Sequence, residues 1–198
     1  MGPLDGTAAG RLFGLRDEAT RDLAGQAGAV ARACHAMAVR FHQGGKLIVF
    51  GTGGSSTDAQ HVAVEFVHPV IVGKRALPAI SLTSDVATVT GITERHGVEA
   101  IFAHQIRFLA GPADIALGIT ASPSVLAGLR EAKEKGLLTI ALTGTSGREQ
   151  IEADHILTAD SDDPRIVKEV HVTTYHILWE LVHVFFEQPG LLAPGVVS

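Results

Sequence analysis

Residues 48–68 read IVFGTGGSSTDAQHVAVEFVH, and no other part of the chain says as much about its architecture. An apolar run from Leu47 to Phe50 meets a glycine–serine turn, Gly51-Thr52-Gly53-Gly54-Ser55-Ser56. A segment with helical character follows and carries His61 and Glu65. That order leaves free amides at a helix N-terminus, where negative charge is favoured and glycine lets an anion approach closely. His61 and Glu65 stand four residues apart, so an imidazole and a carboxylate share one helix face. An anion cradle beside a base or metal ligand points to chemistry on a small phosphorylated molecule. Read alone, the turn also fits a tight strand-to-helix connection. It is neither G-x-G-x-x-G nor a P-loop, since no Lys-Ser/Thr pair follows. Alone, His61 and Glu65 equally fit ordinary polar positions on an amphipathic helix.

The same alternation continues outward. Further short apolar runs lie at 77–82, 114–119, 138–142 and, more weakly, 155–157, each the length of a buried strand. Segments with helical patterning at 56–68, 99–109 and 123–135 separate most of them, and a last helix spans 164–187. Before the first run, residues 15–42 read as one long Ala-rich helix closed by Gly44-Gly45. Strands that are apolar throughout, alternating with helices, predict an α/β fold with a five-stranded parallel sheet covered on both faces, a three-layer α/β/α arrangement. Ligands in such sheets bind beyond the carboxyl ends of the strands. Three of the turns there are rich in hydroxyls or glycine: Gly51–Ser56, Thr120-Ala121-Ser122-Pro123-Ser124 and Thr143-Gly144-Thr145-Ser146-Gly147.

The 198 residues, 46% of them hydrophobic, fit one domain with a substantial core. A net charge of −5 without a Lys/Arg run leaves no footprint for nucleic acid. No apolar run approaches membrane-spanning length, and the polar first 25 residues do not read as a signal peptide. Cys34 is the single cysteine, which excludes an internal disulfide and suits a reducing cytoplasm. The expectation is a soluble cytoplasmic protein, with a loosely ordered tail around 191–195.

The last helix carries Lys168, Glu169, His171, His176, Glu180 and His183. Glu169, His176 and His183 are seven apart and share a face, while His171 points well away from it. Val170, Ile177, Leu178, Trp179 and Leu181 make the helix largely buried, and a buried histidine needs a partner.

These residues together resemble the sugar isomerase (SIS) domain family, and most closely its phosphoheptose isomerases, which act on D-sedoheptulose 7-phosphate. The family pattern G-x-G-G-S-x-x-D-A-x-H-x-x-x-E is met by Gly51, Gly53, Gly54, Ser55, Asp58, Ala59, His61 and Glu65. Arg75–Asp85, Glu131–Gly136, Ala141–Gly144 and Glu169-Val170-His171 with His176-Ile177-Leu178 are similar too, so the resemblance covers 15–187 within a single domain, 1–198. It implies aldose–ketose isomerisation of a phosphosugar. Phosphate would bind at Gly53, Gly54, Ser55 and Ser56 and at Thr120, Ser122 and Ser124. Glu65 and His176 would be the catalytic acid–base pair, and His61, Glu65 and His176 would bind zinc. It also implies a homotetramer or homodimer with active sites shared between subunits, the long first helix being suited to that packing.

The chain departs from the family at several of these places. Lys168 stands where the family has a glutamine metal ligand, and an ammonium offers no lone pair. The expectation is a weakened metal site, with Lys168 paired to Glu65 or Glu169 standing in as a ligand. Pro123 removes one amide from a shortened phosphate loop. Glu94-Arg95 replaces an Asn-Asp pair ahead of a helix, and Asp162 and Asp163 only approximate a family aspartate. The second reading is therefore a non-catalytic SIS module that binds a phosphosugar or a protein.

Overall fold

The computed structural model describes residues 6–192. Five strands, β1 (Leu47–Gly51), β2 (Ala79–Ser81), β3 (Ile115–Ile119), β4 (Leu138–Thr143) and β5 (His155–Thr158), form one sheet in the order β2-β1-β3-β4-β5. Every pairing is parallel. The helices are α1 (Ala8–Gly25), α2 (Ala27–His42), α3 (Gly54–Val67), α4 (Val86–His96), α5 (Ile101–Leu109), α6 (Pro123–Glu134) and α7 (Pro164–Phe186).

Strand alternation distributes the core. Leu47 and Val49 join a cluster with Ala33 and Met37 of α2, Val62 and Phe66 of α3, and Leu178 of α7. Ile48 and Phe50, their neighbours on β1, point the other way into a cluster with Phe102 and Ile106 of α5 and Leu129 of α6. Both faces of the central strands are dry, which is why they are apolar throughout. Asp114 ties the start of β3 to β1, accepting from the Lys46 amide at 2.9 Å and its ammonium at 2.6 Å.

The expected single helix over 15–42 is instead two, α1 and α2, broken at Gln26. Gly25 and Gly28 weaken helix continuity there, and Gln26 has other work. Its side-chain amide donates to the Thr158 carbonyl at 2.6 Å and its Oε1 accepts from the Thr158 amide at 3.2 Å. It thereby blunts the free edge of β5. The segment 86–96, to which the sequence pattern assigns no element, is helix α4, with Asp85 capping the Thr88 amide at 3.0 Å. Glu94 and Arg95 lie inside it. Of the expected loose tail, Leu192 is buried against the core and residues 193–198 lie outside the described residues. Cys34 is fully buried, and burial pushes its thiol up to about 12, so it is inert packing between α2 and α7.

Gly118, at the centre of β3, sits under α6. A Cβ there would stand 2.9 Å from Cγ1 of Val125 and 3.1 Å from Cγ of Leu129. Gly118→Ala is expected to lower stability by about 1–3 kcal/mol through overpacking. Urea unfolding checks this, and an unchanged midpoint would mean that α6 yields freely.

Candidate functional site

Connections from β1 to α3, β3 to α6 and β5 to α7 bring three helix N-termini to the carboxyl edge of the sheet. The chain switches direction between β1 and β3, where parallel sheets open a crevice. A cavity of about 410 Å³ lies there, lined by Gly54, Ser55, Thr120, Ser146, Lys168 and His171 among others.

The glycine turn works as its residue types dictate. Gly51 packs so closely on the first turn of α3 that an added Cβ would meet the Ser55 carbonyl oxygen at 2.7 Å. Gly53 holds φ +56° ahead of α3, a conformation that glycine adopts without strain. Across the crevice Thr120 has φ +71°, which costs a β-branched residue on the order of 1–3 kcal/mol. Its amide is held by the Leu142 carbonyl at 2.8 Å.

The phosphate residues expected from the sequence separate into two groups. Gly54, Ser55 and Thr120 line the cavity. Ser122 and Ser124 are absent from the lining: Ser122 accepts from Thr52 at 3.1 Å and lies 3.3 Å from the buried Ser124 hydroxyl, so this loop supports Thr52 rather than facing the space. The Ser56 hydroxyl turns back to the Gly53 carbonyl at 2.7 Å. Ser146, Ser161, Asp162, Lys168 and His171 are further polar residues of the lining. Sequence reasoning marked the turn holding Ser146 and noted Asp162, but assigned neither a role. His171 points well away from the His176 face, and that rotation is what brings it to the cavity.

Further along, α3 and α7 stay in contact. His61, Glu65 and His176 converge, with one ligand atom of each within 4.8 Å of the others. His61 Nε2 is 3.2 Å from Glu65 Oε1, and the His61 and His176 rings lie edge to face at 5.1 Å. Nδ1 of His176 donates to the Val172 carbonyl at 2.8 Å, since a carbonyl only accepts, so the neutral ring keeps a lone pair on Nε2. Nδ1 of His61 meets the Tyr175 hydroxyl at 2.9 Å. Burial, then the nearby Asp58 and Glu65 carboxylates, push the Tyr175 phenol well above its usual range, so it stays protonated. Such a partner orients a metal-ligating imidazole. Glu65 is buried, and its Oε2 has no partner. A buried carboxylate with one bare oxygen calls for a cation, and two imidazoles with a carboxylate are a donor set suited to zinc.

Two expectations about α7 are corrected. Lys168 does not pair with Glu65. Its ammonium lies 2.7 Å from both oxygens of the buried Asp58 and 3.0 Å from the Gly54 carbonyl oxygen. Asp58 is closer because it sits two turns earlier on α3 than Glu65, level with Lys168. Glu169 is drawn the other way, to Arg16 of α1 at 2.7 Å, and is no substitute ligand. Both ring nitrogens of His183 are taken up by carbonyls: Nδ1 and Nε2 meet those of Trp179 and Arg75 at 2.8 and 3.0 Å. Asp163 caps α7 at the Arg165 amide, 3.0 Å, while Asp162 accepts from the Ser146 hydroxyl at 2.6 Å.

Comparison with known proteins agrees with this geometry. Residues 16–144 match the SIS domain model. The chain is 41% identical over 169 residues to the phosphoheptose isomerase of Solidesulfovibrio magneticus, covering 83% of each chain. It is 39% identical over 150 residues to that of Aquifex aeolicus, covering 74% of this chain and 78% of that one. The structure of a phosphoheptose isomerase from Francisella tularensis superimposes with a TM-score of 0.83 at 32% identity, over 93% of this chain and all of the other. With its parallel sheet, glycine cradle and His61–Glu65–His176 cluster, the chain belongs to the SIS-domain family and within it groups with the phosphoheptose isomerases.

Proposed function

We propose that this protein interconverts the aldose and ketose forms of a phosphosugar, with sedoheptulose 7-phosphate as the first substrate to test. The observation that carries this reading is the spacing of two chemistries along α3. The cradle opens at Gly54 and the imidazole–carboxylate cluster begins at His61. Seven helical residues span about 10 Å. That separation suits an open-chain sugar phosphate bound at both ends.

The phosphate binds at the opening of α3, at Gly54 and beside the Ser55 and Thr120 hydroxyls, with the Ser122–Ser124 pair as support. His61, Glu65 and Nε2 of His176 would hold zinc, which would supply Lewis-acid polarisation of the sugar's carbonyl and hydroxyl oxygens. In the aldose-to-ketose direction, Glu65 takes the C2 proton and returns it at C1, and a proton moves from O2 to O1. Glu65 has two oxygens, so one can ligate while the bare Oε2 accepts the proton. His176 has a single open nitrogen, and in any one state it serves either as ligand or as proton carrier.

The non-catalytic reading drew on Lys168. With its ammonium committed to Asp58, Lys168 does not block the cluster, and the catalytic reading is favoured. Assembly into a homotetramer or homodimer is part of the proposal, as is a cytoplasmic location. Val64 and Val67 are half exposed on α3 beside Glu65, and Leu12, Phe13 and Leu15 are exposed on α1. A second copy against α3 would complete the site next to the cluster. No helix among the described residues is long and apolar enough to cross a membrane.

Incubation of the purified protein with sedoheptulose 7-phosphate tests the activity. The expected result is an aldose product detected by NMR, with solvent deuterium incorporated at C2. Phosphosugar binding without turnover, with zinc supplied, would favour the non-catalytic reading.

A further inference from the structure

The α7 wall of the cavity carries two groups that this mechanism leaves unused. The first is Lys168. Its three N–H bonds reach both oxygens of Asp58 and the Gly54 carbonyl, so all are occupied. Their roles differ. Two neutralise a carboxylate that is buried behind the lysine, whose own side chain is 46% exposed against 7% for Asp58. The third lands on a carbonyl that already accepts from the Thr57 hydroxyl at 2.7 Å. That third bond can be exchanged without leaving a polar group unpaired. It also sits at the opening of α3, where Gly54 and Ser55 line the same cavity.

The second group is His171, three residues on. It lines the cavity, is 2% exposed, and its Nε2 has no hydrogen-bond partner. Burial lowers its pKa, which keeps the ring neutral. A buried, unpartnered ring nitrogen in a hydroxyl-lined cavity marks a place where a ligand atom completes the hydrogen bonding. Asp162, the carboxylate of this lining, is taken up by Ser146 and leaves the ammonium as the group facing an incoming anion.

We infer that Lys168 is a phosphate-binding residue of this chain: its third N–H turns from the Gly54 carbonyl to an oxygen of the ligand's phosphate, with Asp58 fixing the ammonium in place and His171 forming the floor beneath the same group. This rests on the phosphosugar reading of the cavity. It gives Lys168 a direct role in recognition in place of the metal ligation lost at that position.

Calorimetric titration with inorganic phosphate and with sedoheptulose 7-phosphate tests it, with zinc content measured in parallel. Lys168→Met is expected to weaken both ligands roughly 10- to 100-fold, the loss of one charge-assisted hydrogen bond. Bound zinc is expected to be unchanged, and Lys168→Arg should restore most of the affinity. Because Lys168→Met leaves Asp58 buried and unpaired, the double variant Asp58→Asn/Lys168→Met removes both charges and should show the same loss in a chain that melts cooperatively. Wild-type affinity for phosphate in either folded variant would overturn the role of Lys168. Failure of the wild type to bind phosphate at millimolar concentration would overturn both this role and the phosphosugar reading. Phosphate binding lost in the variants, with no turnover by the wild type, would uphold Lys168 and overturn only the isomerase.

Discussion

Glu65→Gln is expected to reduce isomerisation of sedoheptulose 7-phosphate by about 10²- to 10⁴-fold, the usual worth of a positioned proton acceptor. The amide keeps the shape of the side chain and a contact to His61 but cannot take a carbon-bound proton. Glu65 is buried on α3 among Val62, Ala63 and Phe66, so the substitution replaces a buried charge with a neutral group of the same size. Stability should therefore hold or rise, since the bare Oε2 carries no compensating bond in the wild type. Steady-state kinetics together with urea unfolding separate the two effects. Activity within tenfold of the wild type would remove Glu65 from proton transfer, and a large fall in stability would make the loss structural.

The second large effect concerns the metal. The wild type is expected to retain about one zinc per chain through dialysis, and a chelator should abolish turnover until zinc is restored. Tetrahedral donors about 2.1 Å from zinc stand roughly 3.4 Å apart. His61 Nε2 and Glu65 Oε1 are already 3.2 Å apart, and the whole set lies within 4.8 Å, so small side-chain adjustments complete the site. Tyr175→Phe deletes only the hydroxyl behind His61. It should lower zinc affinity by about 10- to 100-fold, as losing an orienting partner does. Lys168→Gln should leave zinc retention near the wild-type level, because the lysine it replaces is bound to Asp58 and not to the cluster. Competition with a chromophoric chelator reads these affinities. A wild type that yields no zinc after reconstitution would sink the metal site, and a large gain in Lys168→Gln would show that Lys168 suppresses it.

Much of this molecule could be read in its residues, and for identifiable reasons. Runs such as Leu47–Phe50 and Ile140–Leu142 are apolar at every position because both faces of a parallel sheet are covered, so strand positions and the fold class follow from local pattern alone. Gly53 declares its turn because only glycine takes that backbone angle freely. The spacing of His61 and Glu65 declares a shared helix face. All of these are short-range properties of the chain.

What lay beyond reach depends on which element sits beside which. The break at Gln26 does not show in the pattern, because Gly25 and Gly28 only weaken a helix and the Ala-rich sequence on both sides favours one. It forms because the Gln26 amide reaches Thr158, 132 residues away, and closes a sheet edge. The partner of Lys168 was misjudged because helical spacing along α7 says nothing about the register of α3 against it. Once the two helices are packed together, the Lys168 ammonium reaches Asp58, and the His176 ring meets His61. His171 shows the same division. The sequence determined that it turns away from His176, by the pitch of a helix. Only the tertiary structure decided that this turn points it at a cavity, because the cavity is made by the ends of β1, β3 and β4 meeting the first turns of α3 and α7, and no segment of the chain holds that geometry by itself.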